Sequence, residues 1–389
     1  MHAKPVLALF AVIASSPAFA ENPDVADELS KDQPPSLRET EIVLTLGVAE
    51  GNPRNSEGDF VSLDDGTILF IYTRFRGGGS DHDQADLVSR TSPDGGRSWS
   101  DRDKVVVSNE AGLNVMSVSL LRLTDRRIAL FYLEKNSLTD CRPVVRFSAD
   151  ECATWSQPVE IIPDSAVGYY VLNNDRIVQL KSGRLLAPLA LHHRPDWEKP
   201  DWKGEAGVYW SDDGGSNWSR SSASWLKARD ASGSRAAAQE PGVVELADGR
   251  ILMWVRTDSG ELYQSHSADS GATWTELSPM GVASPQSPAS IERHPTSGEL
   301  VMVWNDHSLL PIAGRKARTP LHLAISHDEG TSWSPPLTLE SDPNGWYCYT
   351  AMEFTDSALL LAYVAGQQAS GKHLSASRIR KVDFKFFPR

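Results

Sequence analysis

Six stretches of the chain concentrate side chains that can bind an anion or move a proton. Residues 52–59 contain Arg54, and Arg74 and Arg76 lead into a glycine-rich acidic loop, residues 77–86, that holds Asp81, His82 and Asp83. Residues 239–256 contain Glu240 and Arg256, while Arg315, Lys316 and Arg318 form a basic run. Residues 345–352 contain Tyr347, Cys348 and Tyr349, and a further polar set comprises Asn114, Asp140, Arg142, Asn173, Asn174, Asp175, His192 and His193. A guanidinium group stays charged at all ordinary pH values and donates two parallel hydrogen bonds to a carboxylate, so converging arginines make a site for an acidic ligand. The net charge is −13, so such a site is a local exception in an acidic chain. That charge argues against nucleic acid and against an anionic membrane surface. Taken singly, each stretch also reads as an ordinary solvated loop or strand end, and asparagine and histidine in the last set as turn or capping residues.

What would bring these stretches together is a repeated frame. The phrase Ser-x-Asp-x-Gly-x-Thr-Trp recurs at residues 92–99, 148–155, 211–218, 267–274 and 326–333, with Trp five residues after Asp each time. An Asp that accepts nearby backbone N–H groups, followed by a Gly free to take positive φ, makes a tight turn between strands, and the Trp is a packing anchor. Upstream of these turns lie apolar runs broken by a tight turn, near residues 60–72, 120–132, 177–189, 243–255, 291–304 and 352–364, which read as six β-hairpins. Repetition at ~55–65 residues signals one supersecondary unit used many times. The expected fold is all-β: a six-bladed β-propeller of four-stranded antiparallel blades with five of the repeated turns. Residues 41–47 are expected to complete the last blade beside the C-terminal strands. Helical periodicity is weak throughout.

Residues 1–20 carry Lys4, an apolar run and an Ala18-Phe19-Ala20 end, the pattern of a cleaved signal peptide, and residues 21–38 are polar and proline-containing. The expected organisation is therefore a signal peptide, a flexible N-terminal segment, and one domain over residues 39–389, exported to the periplasm or secreted, with no membrane anchor and acting as a monomer. Three cysteines, Cys141, Cys152 and Cys348, permit at most one disulfide, and no metal-ligand spacing or cofactor motif is visible.

Five such turns, six hairpins and the export pattern resemble the sialidase superfamily, in which the repeated turn is called the Asp box. The resemblance implies an exo-α-sialidase type of glycoside hydrolase releasing terminal sialic acid, or a related acidic sugar, from a glycoconjugate. It implies arginines for the sugar carboxylate, a tyrosine nucleophile activated by a glutamate, and an aspartate acting as acid and then base. On this basis Glu240 and Arg256 match the family's glutamate before and arginine after the fourth hairpin, and Arg318 resembles the second arginine. The family's Arg-Ile-Pro is missing; Arg54 stands two residues earlier than expected, and Arg74 or Arg76 matches another arginine position approximately. Counting back from Arg90 and Ser92 places the acid at Asp81, with Asp83 second. Tyr347 and Tyr349 both flank the nucleophile position, and in an extended strand they point to the same face; Tyr349, directly ahead of the apolar run, is preferred. The resemblance thus assigns Asp81, Glu240 and Tyr349 to catalysis and Arg54, Arg74, Arg256 and Arg318 to substrate binding.

Two other readings stand beside this one. The irregular first unit fits a site for another acidic sugar, an ulosonic or uronic acid, or a lyase using His82, His192 or His193 as base. Asp boxes also occur in propellers that only bind glycans or proteins.

Overall fold

The computed structural model describes residues 40–221, 225–308, 310 and 316–388. The expected signal peptide and N-terminal segment, residues 1–20 and 21–38, and Arg315 lie outside the described residues. Among those residues the structure is all-β, with short 3₁₀ turns and no α-helix.

The repeated turns are built as the sequence predicts. In the fourth copy the Asp269 carboxylate accepts from the Ser267 hydroxyl and the Thr273 amide, both at 2.8 Å, and Gly271 takes φ 85° while its amide donates to Ser267 Oγ at 2.9 Å. The Trp274 indole then donates to the Gly271 carbonyl at 3.1 Å. The second copy has Cys152 where the others have glycine, and Cys152 takes the same left-handed backbone, φ 66°. None of the three cysteines is in a disulfide.

The strands form five sheets. Four are four-stranded and antiparallel; the first comprises Asn55–Ser62, Ile68–Phe75, Ala85–Ser92 and Lys104–Val107. The fifth has nine strands, but it divides into two antiparallel groups where Tyr169 meets Cys141 in a single parallel bridge. The strand Thr40–Leu46 pairs with Lys372–Asp383, so the start of the described chain completes the sheet made by its end, as expected. Turn glycines show how neighbouring groups pack. A Cβ on Gly215 would lie 2.7 Å from Phe147, one on Gly271 would lie 2.9 Å from Leu186, and one on Gly96 would lie 2.5 Å from Leu360. Each turn therefore presses on the preceding group, and the first group presses on the last.

The leading strands of the groups, the inner strands, pack against one another, and four of them are irregular in one shared way. Register slips fall between Ser56 and Asp59, Met116 and Ser119, Gln239 and Gly242, and Cys348 and Ala351. Within those slips Glu57, Ser117, Glu240 and Tyr349 adopt φ of 40°, 62°, 48° and 59°. Asp175, ahead of Val178–Gln179, takes φ 55°. A non-glycine residue in this region costs of order 1 kcal/mol and persists only where its surroundings impose it; a bulge also turns a side chain out of the strand's alternation.

Polar side chains tie the inner strands to one another. Asp59 accepts from Leu120 N at 2.7 Å, and Asp175 accepts from Met352 N at 3.1 Å. Asn174 donates to the carbonyls of Gly58 and Tyr349 at 2.9 and 3.1 Å, and Ser290 Oγ donates to that of Thr350 at 2.6 Å. Burial pushes the carboxyls of Asp59, Asp175 and Glu292 above their ordinary range and raises Glu353 to about 7. A carboxyl whose folded-state pKa is raised binds its proton more tightly folded than unfolded, so its contribution to stability is full below the unfolded value and is lost as pH rises through the folded one. Thermal unfolding should therefore give a lower Tm at pH 8 than at pH 5.5, and Glu353→Gln should reduce that difference. An unchanged difference in the variant would remove Glu353 from the account.

Candidate active site

Two cavities open at opposite ends of the inner strands. The larger, about 620 Å³, is lined by later residues of those strands, among them Asp59, Asp175, Arg176, Glu292 and Glu353. The other, about 390 Å³, is lined by the bulge residues Glu57, Ser117, Glu240 and Tyr349 together with Asp81, Arg256 and Arg318. Five of the seven residues assigned from the sequence thus line one cavity.

Tyr349 reaches this cavity because of the slip in its strand. Tyr347 packs instead into the core, its ring 6.3 Å from that of Tyr363, so the expectation that the two tyrosines share a face is corrected by the bulge between them. The Tyr349 hydroxyl donates to Glu240 Oε1 over a long 3.5 Å. Burial, and then the Glu240 carboxylate, push the phenol above its ordinary pKa, while Arg318 and Arg256 act in the opposite sense. The resting group is therefore a neutral phenol in need of a base, and Glu240 is the carboxylate in reach.

Arg256 holds Glu240 through an ion pair of 2.7 Å, with side chains only 12% and 11% exposed. Arg318 is buried, and its guanidinium lies 5.5 Å from the Tyr349 ring centre and 5.2 Å from that of Trp346. Among the described residues no carboxylate lies within ion-pair distance of Arg318. Arg256 Nε, Arg318 Nε, Glu240 Oε2 and Asn173 Nδ2 are buried without a hydrogen-bond partner. Unsatisfied buried polar atoms are rare in folded proteins, and a cluster of them around one cavity marks where a polar ligand would sit.

Asp81 stands on the opposite wall with its side chain 57% exposed. Desolvation pushes its carboxyl up, but the Arg54 guanidinium, 2.5 Å away, outweighs that and holds it below the ordinary value. The loop is fastened by Asn114, which donates to the carbonyls of Asp81 and Asp83 at 3.0 and 2.8 Å, and by Lys135, whose ammonium donates to the Asp81 carbonyl at 2.7 Å. Asp83 is spent inside the loop, accepting from Ser80 N at 2.7 Å, and does not line the cavity.

Two of the assigned residues do not line the cavity. Arg74 does not line the cavity; it points to Asp103 at 3.4 Å, the carboxylate that also receives Arg90 and Tyr72. Arg54 lies behind the cavity wall, 1% exposed, with its two terminal nitrogens committed to Glu57, Asp81, Ser56 and the Gly79 carbonyl and its Nε without a partner. Of the further polar set, Asn173 and His192 line the cavity, Asn114 and Asn174 brace it, and Asp140 and Arg142 pair with each other at 2.9 Å outside it. Asp175 lines the other cavity, and His193 lines neither. Burial lowers the His192 pKa, which leaves that ring neutral near pH 7.

Sequence reasoning missed Glu57, Lys135, Tyr169, Trp202, Trp346 and His373, all of which line the cavity. A signal existed for Glu57: it precedes the turn glycine Gly66 by the same nine residues that separate Glu240 from Gly249. Among the described residues no cluster of histidine, cysteine and acidic side chains is arranged to hold a metal ion.

Residues 71–360 match the family described as a BNR repeat-like domain. The chain is 31% identical to the anhydrosialidase of Macrobdella decora over 166 residues, which is 40% of this chain and 19% of that protein. It is also 31% identical to the sialidase of Vibrio cholerae serotype O1 over 167 residues, 38% of this chain and 21% of that protein. The aligned stretch thus spans about a fifth of the length of these curated relatives. Among solved structures, a leech intramolecular trans-sialidase complexed with 2,7-anhydro-Neu5Ac superposes with a TM-score of 0.68 at 15% identity, covering 90% of this chain and 70% of that one. A Dyadobacter fermentans protein of unknown function superposes with a TM-score of 0.66 at 18% identity, covering 88% and 99%. At these identities the structural likeness speaks to the fold.

The Glu240–Arg256 pair gives a test independent of any substrate. Removing one partner of a buried pair strands the other charge, at a cost of about 3 kcal/mol, and removing both relieves most of it. Urea unfolding should show Arg256→Met strongly destabilised and the double variant Arg256→Met/Glu240→Gln closer to wild type. Additive losses would mean that the two side chains do not depend on each other.

Proposed function

The chain belongs to the BNR repeat-like family of the sialidase superfamily, and from that premise we propose that it is a retaining exo-glycosidase of sialidase type acting on a terminal acidic sugar. Its six strand groups are read as blades of one closed six-bladed propeller, with the catalytic cavity at one end of the axis. The observation that carries the reading is the buried Arg318 guanidinium, with no carboxylate partner among the described residues, in the same cavity as Arg256 and over the tyrosine that faces Glu240.

In this reading Arg318 and Arg256 bind the carboxylate carried by the anomeric carbon of the sugar. A neutral phenol approaches that carbon without the repulsion an anionic carboxylate would meet. Tyr349 gives its proton to Glu240 and its oxygen attacks the anomeric carbon. Asp81, protonated, donates to the departing glycosidic oxygen, which leaves as an alcohol. Asp81, now a carboxylate, takes a proton from water; the water oxygen displaces Tyr349, and the phenolate recovers its proton from Glu240. Asp81 must hold a proton to start, although Arg54 favours its ionised form, so the cycle is expected to run best in mildly acidic solution. No cofactor is required, and the protein is taken to act as a monomer outside the cytoplasm.

The diversion of Arg54 away from the cavity supports a second substrate class, another acidic sugar that needs only two arginines. Relatives named for anhydrosialidase and intramolecular trans-sialidase activity make the product itself part of the test. A panel of aryl glycosides of sialic, ulosonic and uronic acids, with products identified by mass spectrometry, separates free sugar, anhydro-sugar and unsaturated sugar. On the preferred substrate Tyr349→Phe and Glu240→Gln are expected to lower kcat by about 10²–10⁴-fold, and Arg318→Lys to raise KM by about 10-fold or more. Full activity in both Tyr349→Phe and Glu240→Gln would sink the assignment.

A further inference from the structure

Arg54 has the surroundings of a tool used by the protein on itself. Its side chain is 1% exposed and its guanidinium carbon sits 4.3 Å from the centre of the Phe75 ring. One terminal nitrogen donates to Asp81 Oδ1 at 2.5 Å and to the Gly79 carbonyl at 3.3 Å; the other donates to Glu57 Oε2 at 3.0 Å and Ser56 Oγ at 3.3 Å. One cation is thus divided between two carboxylates, one buried and one at the cavity surface.

Glu57 is placed there at a backbone cost. It is 5% exposed, takes φ 40° within the register slip of Asn55–Ser62, and repeats on the first inner strand the geometry that Glu240 has on the fourth. The two glutamates also share an arginine partner each: Glu57 with Arg54 at 3.0 Å, Glu240 with Arg256 at 2.7 Å. Their roles differ because Arg256 reaches the cavity and Arg54 does not.

We propose that Arg54 and Glu57 are positioning residues for the acid loop, and that Glu57, by competing for the Arg54 guanidinium, sets the pH at which Asp81 holds the proton it donates. The inference rests on the reading of Asp81 as the acid. The groups facing Asp81 are Arg54 just ahead of Asn55–Ser62, Glu57 within that strand, Lys135 from Ile128–Lys135, Tyr169, and His82 on its own loop. Arg54 and Lys135 favour the ionised carboxylate, and Glu57 is the negative charge that opposes them. Burial raises the Glu57 carboxyl, Arg54 pulls it down and Asp81 pushes it up.

With Glu57 neutralised, the whole of Arg54 turns to Asp81, and Asp81 must become the weaker proton holder. The test is the carboxyl titration of Asp81 in the full chain carrying ¹³Cγ-labelled aspartate, its resonance identified by loss in Asp81→Asn. In Glu57→Gln the midpoint should fall by about half a unit or more. Glu57→Gly is the second variant, since glycine accepts the left-handed backbone without strain; it should show the same fall if the glutamine variant does not fold. An unchanged or higher midpoint in a folded variant overturns the competition. Hydrogen–deuterium exchange of residues 77–86 tests the positioning: Arg54→Lys should speed it at least tenfold while the other segments keep wild-type rates, and unchanged exchange overturns that role. Both readouts need no substrate, so a chain that cleaves no acidic sugar would defeat the proposed function while these measurements still decide this inference. Where turnover is present, Arg54→Lys should lower kcat with KM held within about threefold. A rise in KM equal to that of Arg318→Lys would return Arg54 to substrate binding.

Discussion

A side chain held at positive φ in the middle of an inner strand is the constraint on which the site depends. A regular strand sends alternate side chains to opposite faces, and on the last inner strand that would give Tyr347 and Tyr349 the same surroundings. The slip between Cys348 and Ala351 separates them, sending one ring into the core and the other into the cavity. The same device at Glu57, Ser117 and Glu240 aims three more strands at that space. Left-handed backbone at these non-glycine residues is unfavourable taken alone, so the packing between neighbouring groups must hold it. Asn174, bonded to the carbonyls of Gly58 and Tyr349, joins two of these slips directly.

Electrostatics completes what the bulges begin. The cavity and its wall gather Arg54, Lys135, Arg256 and Arg318 against Glu57, Asp81 and Glu240. With all of these ionised, one positive charge is in excess, which suits a ligand carrying a single carboxylate. The distribution matters more than the sum. Arg54 and Lys135 are engaged with the loop of Asp81, Arg256 with Glu240, and Arg318 is left facing the cavity. Burial, and then the Glu240 carboxylate, keep Tyr349 protonated in the resting protein.

The frame was legible because the turn is local chemistry: Ser, Asp and Gly within five residues make a closed set of hydrogen bonds whatever the surroundings. Even Cys152, which breaks the glycine rule, takes the turn geometry once its neighbours impose it. The assignments of Asp81, Glu240, Tyr349, Arg256 and Arg318 rest on the resemblance to the sialidase superfamily, with Asp81 and Arg318 placed by distance from the turns and the other three by their place about the hairpins. Partnerships across the fold were not legible. Arg54 pairs with a carboxylate 27 residues away as well as with one three residues away, and Arg74 follows Asp103 outward; neither choice leaves a mark in composition or spacing. Lys135 looks like any strand-end lysine until the loop of Asp81 folds over it. The bulges themselves were invisible because the residues in them are ordinary: Glu, Ser and Tyr are not selected for left-handed backbone.

The central claim is that Tyr349, deprotonated toward Glu240, is the nucleophile. A sialosyl fluoride carrying a second fluorine at C3 loses its anomeric fluoride to the nucleophile and then slows the breakdown of the glycosyl–enzyme intermediate, because fluorine beside the anomeric carbon disfavours the positive charge that develops there. Incubation with this probe followed by intact-mass and peptide mass spectrometry is predicted to place one sugar on Tyr349, with none bound in Tyr349→Phe. An adduct on Glu57, Asp81 or Glu240, or none on a protein that turns the parent sialoside over, would contradict the account.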